Sequence, residues 1–166
     1  RTLSVSTPLG DDVLLIRSMT AAEALSTLFE YQLDLVSDDI NVRAEDLLGK
    51  PVTVRLDLPD DKRRHFNGIV SRFAHAGFDG AEALYTATLV PWLWFLTRTA
   101  DCRIFQEKTV PDIVKEIFRE HGHTDFEESL TGSYRQWVYC VQYRETDFNF
   151  ISRLLEQEGI YYYFKH

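Results

Sequence analysis

Alternation of apolar and polar residues, the period of a β-strand, dominates roughly the first hundred residues. The clearest example is the stretch in which Val52, Val54, Leu56 and Leu58 alternate with polar residues. Further strands are predicted at 2–6, 13–17, 31–36, 66–73 and 84–90. Turn residues separate these stretches at fairly even spacing, which is typical of a small antiparallel barrel or sandwich.

Details of this region also carry predictions. Gly68 interrupts a strand pattern, so we expect a bulge or a close backbone approach there. The basic run 62–64 follows two aspartates and is interpreted as a solvated hairpin tip. Residues 44–48 predict one helical turn ending at Gly49, and residues 21–29 fit either a short helical turn or a bulged connection.

A helical period appears after residue 100. Thr109 is a good N-cap, Pro111 suits a first turn, Asp112 completes a capping-box-like pair, and Gly122 ends the helix. One apolar stripe runs along it: Val110, Ile113, Val114, Ile117 and Phe118. Strands are predicted at 103–106 and 136–143, with a polar connection at 127–134.

The closing stretch 141–164 predicts a strand, a helix and a second strand. Thr146 caps the helix, Glu145 and Asp147 place negative charge at the positive end of its dipole, and Gly159 stops it. The apolar stripe is Phe148, Ile151, Leu154 and Leu155. The run of Ile, Tyr and Phe at 160–164 predicts the last strand.

The fold class is therefore mostly β with an α+β part. We predict a small antiparallel β-barrel domain at 1–100 and part of an α+β domain at 101–166 that continues beyond the fragment. The chain begins at Arg1 without a methionine, and the final predicted strand reaches almost to His166. A fragment of a longer protein is thus expected.

Composition excludes several classes of function. The chain is 45% hydrophobic and 27% charged, which is ordinary for a globular protein rather than a disordered one. A net charge of −8 opposes binding to nucleic-acid phosphates. No apolar run approaches the ~20 residues that cross a bilayer, so we expect no stable membrane insertion. Free thiols are favoured for Cys102 and Cys140, with one disulfide as the alternative.

Candidate chemistry is sparse. Residues 121–125 contain two histidines and an aspartate, but their spacing matches no standard zinc or calcium loop, so a polar helix end is the better interpretation. Adjacent carboxylates at Glu127, Glu128, Glu156 and Glu158 could serve a hydrolase, yet such residues are usually solvated. We predict no catalytic residue, no metal site and no cofactor. His65 and His75 are interpreted as surface residues.

Two aromatic runs suggest either packing or contact. The stretch 91–96, taken as a strand, has large apolar groups on both faces, which favours burial over a stacking platform or a partner contact. In 160–164, Tyr161 and Tyr163 would face one way and the other three residues the opposite way. A single exposed tyrosine face is typical of an interdomain or intersubunit contact.

Several ordered segments resemble one family. They are 48–54, 66–70, 85–96, 103–106, 141–148 and 153–162. Together they resemble the N-terminal part of the VgrG spike proteins of the type VI secretion system, and the resemblance spans nearly the whole chain. The last segments, from Val141-Gln142-Tyr143-Arg144-Glu145-Thr146 to Gly159-Ile160-Tyr161-Tyr162, are the most specific.

The resemblance implies a phage baseplate-hub-like fold and a mechanical role. This region would join the hexameric tail tube, built of an Hcp-like protein, to the needle of a trimeric spike that punctures target cell envelopes and delivers effectors. The implied partners are two further copies in a homotrimer, the tube protein, and effector or adaptor proteins. The implied protein is not an enzyme; it assembles in the bacterial cytoplasm without a signal peptide and is then translocated by the contractile apparatus.

Two alternatives to the secretion spike remain open. One is the baseplate hub of a phage or related contractile tail, which shares the fold and the mechanics. The other, from a different class, is a glycan- or wall-hydrolysing domain.

Overall fold

In a computed structural model that describes residues 2–166, the chain forms two compact units. The first unit ends at Pro91 and also includes the four residues Tyr163–His166, and the second spans Trp92–Tyr162. The domains 1–100 and 101–166 stay a prediction, since compactness alone divides the chain between Pro91 and Trp92.

The first unit is an antiparallel sheet of six strands. The strands are β1 (Leu3–Ser6), β2 (Leu15–Ala22), β3 (Glu30–Ser37), β4 (Pro51–Asp57), β5 (Arg63–Asp79) and β6 (Glu82–Val90). Their order across the sheet is β1-β4-β5-β6-β3-β2. The sheet curls so that the edge strands β1 and β2 approach within 8 Å, but no ladder joins them within residues 2–166. The predicted mostly β fold is confirmed, as a curled half-barrel.

Alternation along β3 and β6 builds the core of this unit. Tyr31, Leu33 and Leu35 are buried on β3, while the residues between them are exposed. On the neighbouring strand, Leu89 lies opposite Tyr31 and Tyr85 lies opposite Leu35. The inward residues of both strands thus pack as cross-strand pairs in one apolar cluster.

The prediction of a close approach at Gly68 is confirmed. A Cβ atom at Gly68 would lie 2.8 Å from the Cβ of Leu89, which is inside van der Waals contact. The bulges of β5 lie elsewhere, between Val70 and Arg72 and between His75 and Gly77. Glycine at position 68 therefore lets β5 pass directly beside the core.

The smaller predictions for this unit have mixed outcomes. The turn at 44–48 is a 3₁₀ helix over Ala44–Asp46, and the basic run 62–64 is exposed at the β4–β5 hairpin as predicted. His65 and His75 are exposed, also as predicted, although they lie within β5 rather than beside it. Residues 21–29 contain the end of β2 and a turn rather than a helix.

The second unit contains a two-stranded ribbon and two helices. A 3₁₀ helix at Trp92–Thr97 is followed by β7 (Ala100–Lys108), α1 (Val110–Glu120), β8 (Trp137–Thr146) and α2 (Asp147–Glu158). β7 and β8 pair antiparallel. The predicted caps are confirmed: the hydroxyls of Thr109 and Thr146 accept the amides of Asp112 and Asn149, and Gly159 is left-handed at φ 68°.

Two strand predictions are wrong. Residues 91–96 enter a 3₁₀ helix, in which Leu93 and Leu96 are buried. The three-residue period of this helix places both leucines on one face, so burial is achieved without a strand. Residues 160–164 lie outside any helix or strand and pair with no strand among residues 2–166. A strand requires a backbone ladder, whereas here side chains make the contacts, as in the ring contact between Phe164 and Phe29 at 5.1 Å.

The predicted alternation within 160–164 is nevertheless confirmed. Tyr161 and Tyr163 are 66% and 56% exposed, while the residues between and beside them are partly buried. The two tyrosines thus point away from their neighbours although the segment belongs to no sheet.

Candidate functional site

The second unit contains a buried carboxylate, Asp147, in the first turn of α2. The residue is 3% exposed. Its Oδ1 accepts hydrogen bonds from Gln142 Nε2 at 2.7 Å and Arg103 Nη2 at 3.3 Å. Its Oδ2 accepts from His121 Nε2 at 2.7 Å and Thr99 Oγ1 at 2.8 Å. Four donors therefore surround one side chain.

The donors of Asp147 are themselves held in place. Arg103 Nε donates to Gln142 Oε1 at 2.9 Å, and Arg103 Nη1 pairs with Glu120. Gln142 is fully buried and also donates to the backbone oxygen of Glu145 at 3.2 Å. We call Thr99, Arg103, His121, Gln142 and Asp147 the Asp147 network. It links both strands of the ribbon to both helices.

The balance of burial and hydrogen bonding decides the charge of Asp147. Burial raises the pKa of this carboxyl, but hydrogen bonds from Gln142, His121 and Thr99 and the charge of Arg103 outweigh it, so the pKa lies below its usual range. Asp147 is therefore a carboxylate at neutral pH. A buried charge is tolerable only when it is paired and hydrogen-bonded, as this one is.

The geometry assigns a structural role to the Asp147 network. Each carboxylate oxygen of Asp147 already accepts two hydrogen bonds. A general base needs a free acceptor site on one of its oxygens for the proton of the substrate. The contacts instead cross-link the second unit. The sequence interpretation placed Asp147 at the helix end only for its charge and missed its burial. The signal was the position of Gln142, which shares the inward face of β8 with the buried Cys140.

The histidines at 121–125 occupy a helix end, as predicted. His121 is the C-cap of α1 and bonds Asp147. The ring of His123 packs against Trp92 at 4.5 Å, and burial, followed by the charge of His121, lowers the pKa of His123. Within residues 2–166 the structure contains no group of three His, Cys, Asp or Glu residues arranged to hold a metal ion.

The other candidate carboxylates lie toward the surface of the second unit. Glu128 pairs with Lys115 at 3.0 Å, and the hydrogen bond that Lys115 donates to Glu128 raises the pKa of the lysine. Glu127 lies beside Glu128 in the irregular connection between α1 and β8. Glu156 is exposed and Glu158 is partly exposed at the end of α2. The absence of a catalytic site stays a prediction.

The aromatic residues of the 3₁₀ helix are packed rather than displayed. Trp92 meets the ring of Phe118 edge to face at 4.9 Å. Trp94 lies beside Phe95 and under the guanidinium of Arg98, 4.6 Å from the ring centroid. All three aromatic residues of this helix are partly buried, which confirms the packing interpretation over a stacking platform.

The outer face of the ribbon is apolar and exposed. Ile104 lies opposite Val141, and Tyr139 and Tyr143 flank Val141 on the same face of β8. The exposed fractions of these residues are between 48% and 64%. We call these four residues the ribbon face. Such a contiguous apolar surface is typical of an interaction site.

Both cysteines are free thiols, as the composition favoured. Cys102 is exposed on β7 and Cys140 is buried on β8. Burial raises the pKa of the Cys140 thiol, which disfavours its reactive thiolate form.

No helix within the described residues 2–166 is both long and apolar enough to span a membrane.

Similarity to known proteins covers most of the chain. Residues 22–166 match the family model of the phage tail baseplate hub (GPD). Over all 166 residues the chain is 56% identical to the type VI secretion system spike protein VgrG1a of Pseudomonas aeruginosa and 52% identical to VgrG1b of that organism. It is 33% identical, over 95% of its length, to the actin cross-linking toxin VgrG1 of Vibrio cholerae. The resemblance to the VgrG spike proteins is confirmed.

Solved structures agree with this assignment. The E. coli c3393 protein, a type VI secretion component similar to the T4 tail proteins gp27 and gp5, superimposes with a TM-score of 0.75 at 30% identity. That match covers 92% of this chain and 45% of the E. coli chain. A prophage tail protein of Shewanella oneidensis shares the fold, with a TM-score of 0.59 at 14% identity over 95% of this chain and 48% of that one.

The chain spans only part of its relatives. It covers 26% of the length of VgrG1a and 22% of VgrG1b. The region it covers is the hub region, because the hub model matches all but the first 21 residues. The chain therefore belongs to the phage tail baseplate hub (GPD) family.

Proposed function

We propose that this chain is the structural hub region of a type VI secretion spike, where it joins a hexameric tail tube to the needle. The observation that carries the proposal is the 56% identity to VgrG1a of Pseudomonas aeruginosa over the whole chain. Identity of this extent along both units favours the same architecture and the same role.

The proposed partners are two further copies of the full-length protein and an Hcp-like tube protein. A threefold spike and a sixfold tube need an adaptor, and three chains with two similar barrels each would supply six equivalent positions. The curled sheet of the first unit supports one such barrel. The ribbon face supports assembly, because its exposed tyrosines and aliphatic residues favour burial at a contact.

We propose further that this region is not itself an enzyme. The relatives VgrG1a and VgrG1b are named for a spike. One relative is named as a toxin, but this chain covers only 15% of its length. The saturated hydrogen bonding of Asp147 favours a scaffold over a catalyst.

The proposed location follows from the mechanism. The spike would assemble in the bacterial cytoplasm without a signal peptide and be translocated when the sheath contracts, together with effector or adaptor proteins. A formal charge of −8 disfavours nucleic acid as a partner, and we propose no stable membrane insertion for this region.

A chimeric spike tests the proposal. Residues 1–166 would replace the matched region of VgrG1a in Pseudomonas aeruginosa, and release of the tube protein into the medium would be measured. We expect secretion at a level similar to that of the native spike, because 56% of the positions are unchanged. A stably produced chimera that supports no more secretion than a strain without the spike would contradict the proposal.

A second candidate is the baseplate hub of a phage or related contractile tail, which the match to the phage hub family favours. This hub would share the mechanics but not the secretion apparatus. The sequence downstream of residue 166 in the full-length protein discriminates between the two, since a Val/Gly-patterned β-helix favours the secretion spike.

A further inference from the structure

The last four residues, Tyr163–His166, lie within the first unit, and we call them the strap. The side chain of His166 is 11% exposed. Its ring packs against Phe29 at 5.2 Å and Phe66 at 6.4 Å. The imidazole of His166, inserted among these aromatic residues, therefore holds the strap together with the ring of Phe164, which meets Phe29 edge to face.

Hydrogen bonding fixes the tautomer of His166. The backbone N–H of Asn67 donates to Nδ1 at 3.0 Å, so Nδ1 carries no hydrogen. On the other side of the ring, Nε2 lies 3.0 Å from the hydroxyl oxygen of Tyr31. That hydroxyl donates its hydrogen to Glu23, so Nε2–H donates to Tyr31. Both ring nitrogens are satisfied only in the neutral form.

The charged and titratable groups around the imidazole come from three strands or their ends. Glu23, at the end of β2, has Oε1 3.4 Å from Nε2. Arg64 on β5 pairs with Glu23 at 2.9 Å and offsets its charge. Tyr31 on β3 stays protonated, because burial and then its bond to Glu23 raise the pKa of the phenol. His166 is therefore the group whose charge can change near neutral pH.

We propose that His166 is a pH-operated latch that holds the strap on the sheet when neutral and releases it when protonated. Protonation adds a hydrogen at Nδ1, which then faces the N–H of Asn67 across 3.0 Å. Two donors cannot bond each other, so the charged ring loses this contact and leaves the aromatic residues for water.

The direction of the pKa agrees with this geometry. Burial is the largest influence and lowers the pKa of His166; the charge of Arg64 also lowers it, against opposing effects of Glu23 and of the Asn67 backbone, and the net shift is downward. A lowered pKa means that strap attachment is complete above the unfolded value of about 6.5 and weakens as the pH falls toward the folded value.

Release of the strap changes the surface of the first unit. Phe164 leaves Phe29, which it meets edge to face. Tyr163, which lines a groove together with Glu23 and Leu25, moves away from these residues. Acidification thus uncovers apolar surface beside the end of β2 while the ladders of the sheet stay intact.

Nuclear magnetic resonance on the ¹⁵N-labelled full-length protein tests the latch. At pH 7.5 the ring shifts of His166 are expected to show the Nε2–H tautomer. Between pH 7.5 and 5.5, the protection factor of the Asn67 amide is expected to fall roughly tenfold, the order expected for one hydrogen bond. A backbone amide of the core, that of Leu33, should keep its protection across the same range.

Two variants separate the latch from general acid effects. His166→Asn keeps an acceptor at the position bonded to Cγ and cannot be protonated, so Asn67 protection should become independent of pH. His75 is exposed on β5, the strand that also contains Asn67. In His75→Asn, the protection of the Asn67 amide should fall with pH as it does in the native chain. The proposal is overturned by an Nδ1–H tautomer at pH 7.5, by unchanged Asn67 protection, by an equal fall in His166→Asn, or by an equal fall at Leu33.

Discussion

The two units of this chain are stabilised by different chemistry. The first buries an apolar cluster on one side of six antiparallel strands, and its buried polar side chains among the described residues are the uncharged Ser37 and Thr88. The second has two strands, and its buried polar residues are Gln142 and the charged Asp147. Among residues 2–166, a fully buried charge occurs in the second unit alone.

The difference follows from sheet size. A two-stranded ribbon is marginal by itself, whereas several strands with one apolar face are stable. The second unit must therefore attach its ribbon to helices, and the Asp147 network makes those attachments directional. A wide sheet achieves specificity through register, and a narrow one achieves it through a buried hydrogen-bonded charge.

The largest expected effect is that of Asp147→Ala on the stability of the second unit. Removing the carboxylate takes one acceptor from the buried Gln142 and one from the partly buried Arg103, and we expect a loss of about 3–5 kcal/mol in the free energy of unfolding. All three tryptophans lie in the second unit, so tryptophan fluorescence in a urea titration reports on it directly. Asp125→Ala, an exposed change in the same unit, should stay within about 0.5 kcal/mol. A loss below about 1 kcal/mol for Asp147→Ala would show that the Asp147 network does not stabilise the second unit.

Gly68→Ala should damage the first unit through packing alone. The added Cβ would meet Leu89 Cβ at 2.8 Å, and overpacking of a core costs about 1–3 kcal/mol. Hydrogen exchange at the Leu89 amide measures the effect in the sheet. Gly132→Ala is the control, because its added Cβ first meets the mobile hydroxyl end of Tyr134 at 3.3 Å. Equal effects of the two substitutions would show that the close approach in β5 is unimportant.

Thr146→Ala should have a smaller effect on the second unit. The Thr146 hydroxyl accepts the Asn149 amide at 3.1 Å, and loss of an N-cap costs about 1 kcal/mol. Thr109→Ala, at the N-cap of α1, is a matched comparison with a 3.3 Å bond. Urea titration followed by tryptophan fluorescence measures both. The capping account fails if either alanine variant is as stable as the native chain.

The smallest expected effect is that of pH on the stability of the second unit. Near neutral pH the free energy of unfolding should change little, because Asp147 is fully charged there. Its pKa is lowered in the folded state, so its stabilisation is present above the unfolded value of about 3.9 and is lost as the pH falls through the folded value. Tryptophan-monitored unfolding from pH 7 to 3 should therefore show a steeper loss for the native chain than for Asp147→Asn. Parallel curves for the two proteins would contradict the assignment of charge to Asp147.

The pattern of apolar positions was sufficient for much of the fold. Both helices were predicted with their caps, because Thr109, Thr146 and Gly159 act on their own local backbone. The alternation on β3 and β4 identified strands for a similar reason, since one face of each strand is buried and the other faces solvent.

The predictions failed where a long-range partner decides the structure. Residues 160–164 have a strong strand composition, but a strand needs a ladder, and side-chain contacts to Phe29 take its place. Asp147 looked like an ordinary helix-end charge, because its donors lie 5 to 48 residues away in sequence. The sequence around Asp147 does not show that these distant donors surround it. The inward position of Gln142 on β8 is the one indication in the pattern of strand residues.

The mass of the full-length protein, measured in its native state with and without the tube protein, tests the central claim most directly. The hub assignment predicts a homotrimer that binds tube hexamers, because the chain belongs to the baseplate hub family and matches a spike protein along its whole length. A stable monomer that does not bind the tube hexamers would contradict it.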